Sequence, residues 1–97
     1  MLLQKNFSNG DVLSLKLSSG EEIVGRYNNR STDTFLMLDK PVTLSMSPNG
    51  IALIPYMFTA PIDATISFNE NLIVAKVATD SDIVKQYIQS TTGIALN

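Results

Sequence analysis

A chain of 97 residues, 44% apolar and 16% charged, is long enough for one domain with a modest core and too apolar to be a disordered polyelectrolyte. Its net charge of −2 argues against non-specific binding of duplex DNA, which needs a basic face for the phosphates. The absence of cysteine and histidine removes disulfides, thiolate metal sites, the commonest general base and the commonest metal ligand.

No apolar run approaches the roughly 18 residues that cross a bilayer, and the opening MLLQKNFSNG lacks the apolar core of a signal peptide. A cytoplasmic protein with no membrane partner is therefore expected. Of the nine carboxylates only Glu21 and Glu22 are adjacent, and neighbours in a strand point to opposite faces. No serine or threonine lies in a nucleophile-elbow, SxxK or phosphate-loop context. Neither catalysis, a cofactor nor a bound metal is expected.

The elements follow in order. Residues 11–17 (DVLSLKL) place Leu13, Leu15 and Leu17 on one face and Ser14 and Lys16 on the other, a half-buried strand. After the turn Ser18-Ser19-Gly20, a second strand puts Ile23, Gly25 and Tyr27 on one face. Gly25 is the unusual residue, because a glycine inside a strand costs stability and packs nothing. Residues 28–31 (NNRS) form a turn cluster. A long strand over residues 34–46 is interrupted by Pro41, which cannot donate to a ladder and forces a bend or an edge position. Ser47-Pro48-Asn49-Gly50 is a hairpin turn. Residues 51–58 (IALIPYMF) are apolar on both faces, and residues 65–68 lead through Asn69-Glu70-Asn71 into the apolar run at 72–77 (LIVAKV).

At Thr79 the period changes. Thr79, Asp80 or Ser81 can cap a helix whose stripe is Ile83, Val84, Tyr87 and Ile88, and Gly93 marks its stop. Residues 1–78 thus form the β part and residues 79–97 a helix and tail packed on it or on a neighbouring subunit. The expected architecture is about five strands in meander order, curled so that the sheet does not leave both edges open. In that reading Gly25 is a bending point; an ordinary bulge is the alternative.

The block VLSLKLSSGEEIVGRYNNRSTDTFLMLDKPVTL resembles the first signature of the Sm/LSm/Hfq-like (Sm-like) family: an alternating strand, a turn glycine (Gly20), a strand glycine five residues on (Gly25), an apolar residue (Tyr27) and a later leucine (Leu38). FNENLIVAKV resembles the second signature at Asn71 and in the strand that follows. The ending, with IPYMF and a final helix, is most similar to Sm-like proteins of marine tailed phages. The resemblance implies a mainly β fold, a strongly bent five-stranded small barrel with a C-terminal α-helix. It further implies a homo-oligomeric ring joined through the fourth strand (IALIPYMF) and the fifth (LIVAKV), single-stranded RNA as partner, and a place in the host cytoplasm if the protein is phage-encoded.

The family's reading residues are mostly replaced. Without a gap, its aspartate, stacking aromatic and asparagine fall on Ser31, Asp33 and Phe35. A shift of two puts the aspartate on Asp33, the aromatic on Phe35 and Met37 where the asparagine belongs. The arginine and glycine of the last loop become Phe68 and Asn69, and a Tyr-Lys-His motif becomes Tyr56-Met57-Phe58. Arg26, Tyr27, Asn28, Asn29 and Arg30 supply guanidiniums, an aromatic face and amides, the groups that stack on and hydrogen-bond unpaired bases. The competing reading makes Tyr27 core, NNR a solvated turn, and Phe35 and Phe68 core or interface residues, with the ring retained for protein interaction alone.

Overall fold

The computed structural model describes residues 7–92. They form β1 (Val12–Leu17), β2 (Glu22–Tyr27), β3 (Phe35–Ser47), β4 (Gly50–Pro55), β5 (Thr65–Asn69), a 3-10 turn (Glu70–Leu72), β6 (Ile73–Ala78) and α1 (Ser81–Thr92). The stop expected at Gly93 lies outside the described residues.

The protein is mainly β, an antiparallel sheet that is not closed, with a C-terminal helix. The sheet order is β4-β3-β2-β1-β6, with β5 paired to β3 off this path. The expected five-stranded meander therefore needs correction: the described residues form six strands, and β5 returns to β3 instead of continuing beside β4. Nor does the apolar run at 51–58 stay extended. β4 ends at Pro55, and Tyr56, Met57 and Phe58 begin a loop.

Alternation in β1 works as its sequence predicts. Leu13, Leu15 and Leu17 are buried with Ile23, Leu36, Leu38 and Phe68 in one core. On the opposite face of the sheet, Val24, Val42 and Tyr87 form a second cluster, flanked by Val12, Leu44, Leu53 and Ile83. Tyr87 and Ile83 belong to α1, so the helix covers this outer face.

β3 serves both clusters through a one-residue bulge. Val24 of β2 faces Val42 of β3, while Arg26 faces Asp39, so two steps along β2 match three along β3. The extra residue changes the parity of the strand. Leu36 and Leu38 point to the inner core, whereas Val42 and Leu44, also even-numbered, point to the helix. Lys40 absorbs the distortion in the left-handed region, at φ 49°. The helix fastens this corner: the Tyr87 hydroxyl lies 3.0 Å from the Asp39 carbonyl and 2.9 Å from that of Lys40, and Lys40 Nζ donates to the Thr91 carbonyl at 3.3 Å.

Gly25 sits opposite the same bulge. A Cβ there would lie 3.0 Å from Leu38 Cβ, 3.1 Å from Leu38 Cδ1 and 3.3 Å from the Asp39 carbonyl oxygen. The missing side chain is what lets β3 fold tightly over β2, which joins the two sequence readings: Gly25 lies at a bulge, and the bulge is where the sheet bends. Gly20 answers to a simpler need, a turn between β1 and β2 with φ +101°.

Candidate nucleic-acid interface

The β2–β3 loop and the β5–β6 connection meet at one end of the sheet. Phe35, first in β3, is paired with Asn69, last in β5, and the Glu70 N–H donates to the Thr34 carbonyl at 2.9 Å. Local hydrogen bonds hold both loops. Asn28 Oδ1 accepts from the Arg30 N–H at 2.9 Å, Ser31 Oγ accepts from the Met37 N–H at 2.8 Å, and Thr32 Oγ1 accepts from the Phe35 N–H at 3.1 Å. Asn69 caps the 3-10 turn through its Oδ1, which accepts from the Asn71 N–H at 2.9 Å. These are short side chains bonding to nearby backbone, the usual way polar turn residues fix a loop.

Against this geometry the candidate residues divide. Asn29, Arg30, Asp33 and Phe35 are exposed, and Asn28 and Asn69 are half-buried beside them. Phe35 is 43% exposed, which leaves part of its ring open to a stacking partner. Phe68 is not available in this way. At 6% exposure it lies in the inner core, with its ring centroid 5.2 Å from that of Tyr56. Tyr27 packs against the same core and meets Phe7 at a centroid distance of 6.0 Å. Arg26 points to the helix-bearing face, where Nη1 donates to the Gly10 carbonyl at 3.0 Å. The candidate surface therefore narrows to Asn28, Asn29, Arg30, Asp33, Phe35 and Asn69.

One organising residue escaped the sequence reading. Asp39 Oδ1 accepts from Asn28 Nδ2 at 3.1 Å and from Thr65 Oγ1 at 2.6 Å. It ties the start of the β2–β3 loop to β5. Nothing in the motif signals this, because the tie depends on β5 pairing with β3 in the register that sets Asp39 opposite Thr65.

Two tyrosines have displaced hydroxyl pKa values. Burial pushes Tyr87 up to about 12, with Arg26 and the hydrogen bonds opposing the shift and Asp39 adding to it. Tyr56 is raised by burial first and then by the Glu21 carboxylate. Among the described residues, no group of three or more acidic, cysteine or histidine side chains could hold a metal ion, and no helix is long and apolar enough to cross a membrane. The chain matches no protein-family model and no curated protein sequence.

Proposed function

We propose that this protein is a non-catalytic, Sm-like subunit that curls into a small barrel, assembles into a homo-oligomeric ring and holds single-stranded RNA. The observation that carries this reading is the meeting of the β2–β3 loop with the β5–β6 connection, which gathers an exposed aromatic, amides and Arg30 on one rim. Two further features support it. The bulge at Lys40 and the close approach at Gly25 supply the sharp bend that a small barrel needs. The strand order leaves β4 and β6 at the two margins, and their sequences, GIALIP and IVAKVA, carry only Lys76 as a charged residue. Unpaired apolar margins are templates for pairing with another chain.

On the rim, Phe35 stacks on a base, Asn29 offers its amide and Asn69 its Nδ2 while Asn28 holds the loop through Arg30 and Asp39, and Arg30 meets a phosphate or a base edge. Replication around a ring multiplies a weak site into a continuous one. The test is titration of short single-stranded RNA against the assembled protein at low salt. Phe35→Ala should weaken binding by roughly 1–3 kcal/mol, the worth of one stacked base, and Arg30→Ala should reduce the salt dependence. Absence of binding by an intact ring at low salt overturns the RNA reading.

A ring devoted to protein contacts is the second reading. The exposed Met57, Phe58 and Ile62 favour it, as does the withdrawal of Phe68 and Arg26 from the rim. Light scattering recorded with the ratio of absorbance at about 260 and 280 nm separates the two, since bound nucleic acid raises the ratio.

A further inference from the structure

The margin formed by β4 and β5 is interrupted in an unusual way. β4 pairs with the second half of β3, from Val42 to Ser47, and β5 with the first half, from Phe35 to Asp39. The two strands therefore lie in line along one side of β3. Pro55 faces Val42 and Thr65 faces Asp39, so only Lys40 and Pro41 separate their partners on β3. The chain nevertheless spends residues 56–64 on this step. That is longer than the median connection of about 4–6 residues.

The composition of this loop indicates a purpose. Asp63 is the loop's only charged residue, and Phe58 and Ile62 are 82% and 72% exposed. Ile62 lies on the helix-bearing face, beside Val42, Leu53, Pro55 and the end of α1. Large apolar side chains grouped on one short loop mark an interaction surface.

The opposite margin carries a matching recess on the same face. Between β6, β1 and the start of α1 lies an open groove of about 430 Å³ whose apolar lining is Val24, Leu44, Val77, Ala78 and Ile83, with Ser14, Thr79 and the carboxylates Glu22 and Asp80 as its polar lining. Ser14 and Thr79 satisfy each other across 2.8 Å, so the groove presents no unmet polar demand at that point. Its size accommodates an aromatic side chain and a branched aliphatic one together.

We infer that residues 56–64 form an inter-subunit arm, with Phe58 and Ile62 of one copy seated in the groove beside β6 of the next. The occupant is a second copy of this chain because arm and groove lie at the two margins that the sheet leaves open, with Ile62 on the same helix-bearing face as the groove. Any contact that joins those margins brings them together. This inference rests on the ring reading above and adds a second, side-chain-mediated contact to it.

The absence of cysteine makes the test clean. In the double variant Phe58→Cys with Val77→Cys, mild oxidation should give a ladder of covalently linked subunits on denaturing gels. Phe58→Ala with Ile62→Ala should raise the concentration at half-dissociation by at least about tenfold, since central apolar anchors dominate such contacts. All these positions are exposed in the single chain, so the subunit itself should keep its fold. A ring that forms in wild-type protein but gives no cross-link, and is unaffected by the alanine pair, overturns the arm alone. The same result leaves Phe58 and Ile62 open to a different protein. Wild-type protein that stays monomeric at every concentration overturns both the arm and the ring.

Discussion

At the scale of single residues, the corner of β2 and β3 depends on one absent side chain and one buried hydroxyl. Gly25→Ala would press a methyl group against Leu38 Cβ at 3.0 Å, and neither a Cβ nor the Asp39 carbonyl can swing away. Overpacking of this kind costs about 1–3 kcal/mol. Denaturant unfolding should show that loss; a midpoint equal to wild type would mean that the sheet relaxes freely at its tightest point. Tyr87 makes the complementary prediction. Its ring is fully buried and its hydroxyl serves two carbonyls at the bulge, those of Asp39 and Lys40. Tyr87→Phe should cost about 1–2 kcal/mol, the usual penalty for buried acceptors left unpaired. Because the folded pKa is raised from 10.0 to about 12, the folded state holds this proton more tightly than the unfolded chain. The contribution is complete below pH 10 and declines as pH rises from 10 towards 12. The Phe variant should therefore lose less stability than wild type across that window. Equal slopes for the two proteins would show that the hydroxyl does not sense burial.

At the scale of elements, the long strand β3 shows what sequence alone conveys. Leu13, Leu15 and Leu17 could be read directly because an undisturbed strand keeps period two. In β3, Leu36, Leu38, Val42 and Leu44 share one parity and resemble a single apolar face. The extra residue at the bulge sends them to two different clusters. Pro41 announced a bend, but its direction and the change of face depend on Lys40 taking a left-handed conformation that nothing in its side chain advertises. The helix was legible from its cap and stripe, with its first residue at Ser81. That Tyr87 would anchor the bend was not. Lys40 offers a test of this account. Lys40→Gly removes the strain of a side chain at φ 49° and forfeits a half-buried contact to Thr91 that is long at 3.3 Å, so stability should stay level or rise by up to about 1 kcal/mol. Lys40→Val places a β-branched residue where it fits worst and should cost more than about 1 kcal/mol. Thermal melts that rank valine at or above lysine would argue against a left-handed corner.

At the scale of the whole molecule, the candidate site was only partly legible, for a geometric reason. Loop composition pointed to Asn28, Asn29 and Arg30, and the family resemblance to Asp33 and Phe35; the loop residues remain near the solvent because turn residues rarely bury. Phe68 and Arg26 could not be assigned by type: a phenylalanine and an arginine serve a core or a surface equally well, and strand register decided against both. Assembly is governed by the margins, and β6 allows them to be tested without disturbing the subunit. Lys16 faces Ala75 and Leu17 faces Ile73, so Val74 falls in an irregularity of the β1–β6 ladder, with its side chain 64% exposed. Val74→Lys should leave the stability of the isolated subunit within about 0.5 kcal/mol, as surface substitutions usually do. It places an ammonium on the margin that a neighbour's β4 must approach, the device by which natural edge strands refuse partners. Light scattering should then report a species near the 10.6 kDa subunit mass where wild-type protein forms a multiple of it. RNA affinity should fall with assembly even though no rim residue has changed, because a single rim retains only one stacking aromatic and one exposed arginine of the repeated set. A Val74→Lys protein that remains a full ring would place the joining surface somewhere other than β6.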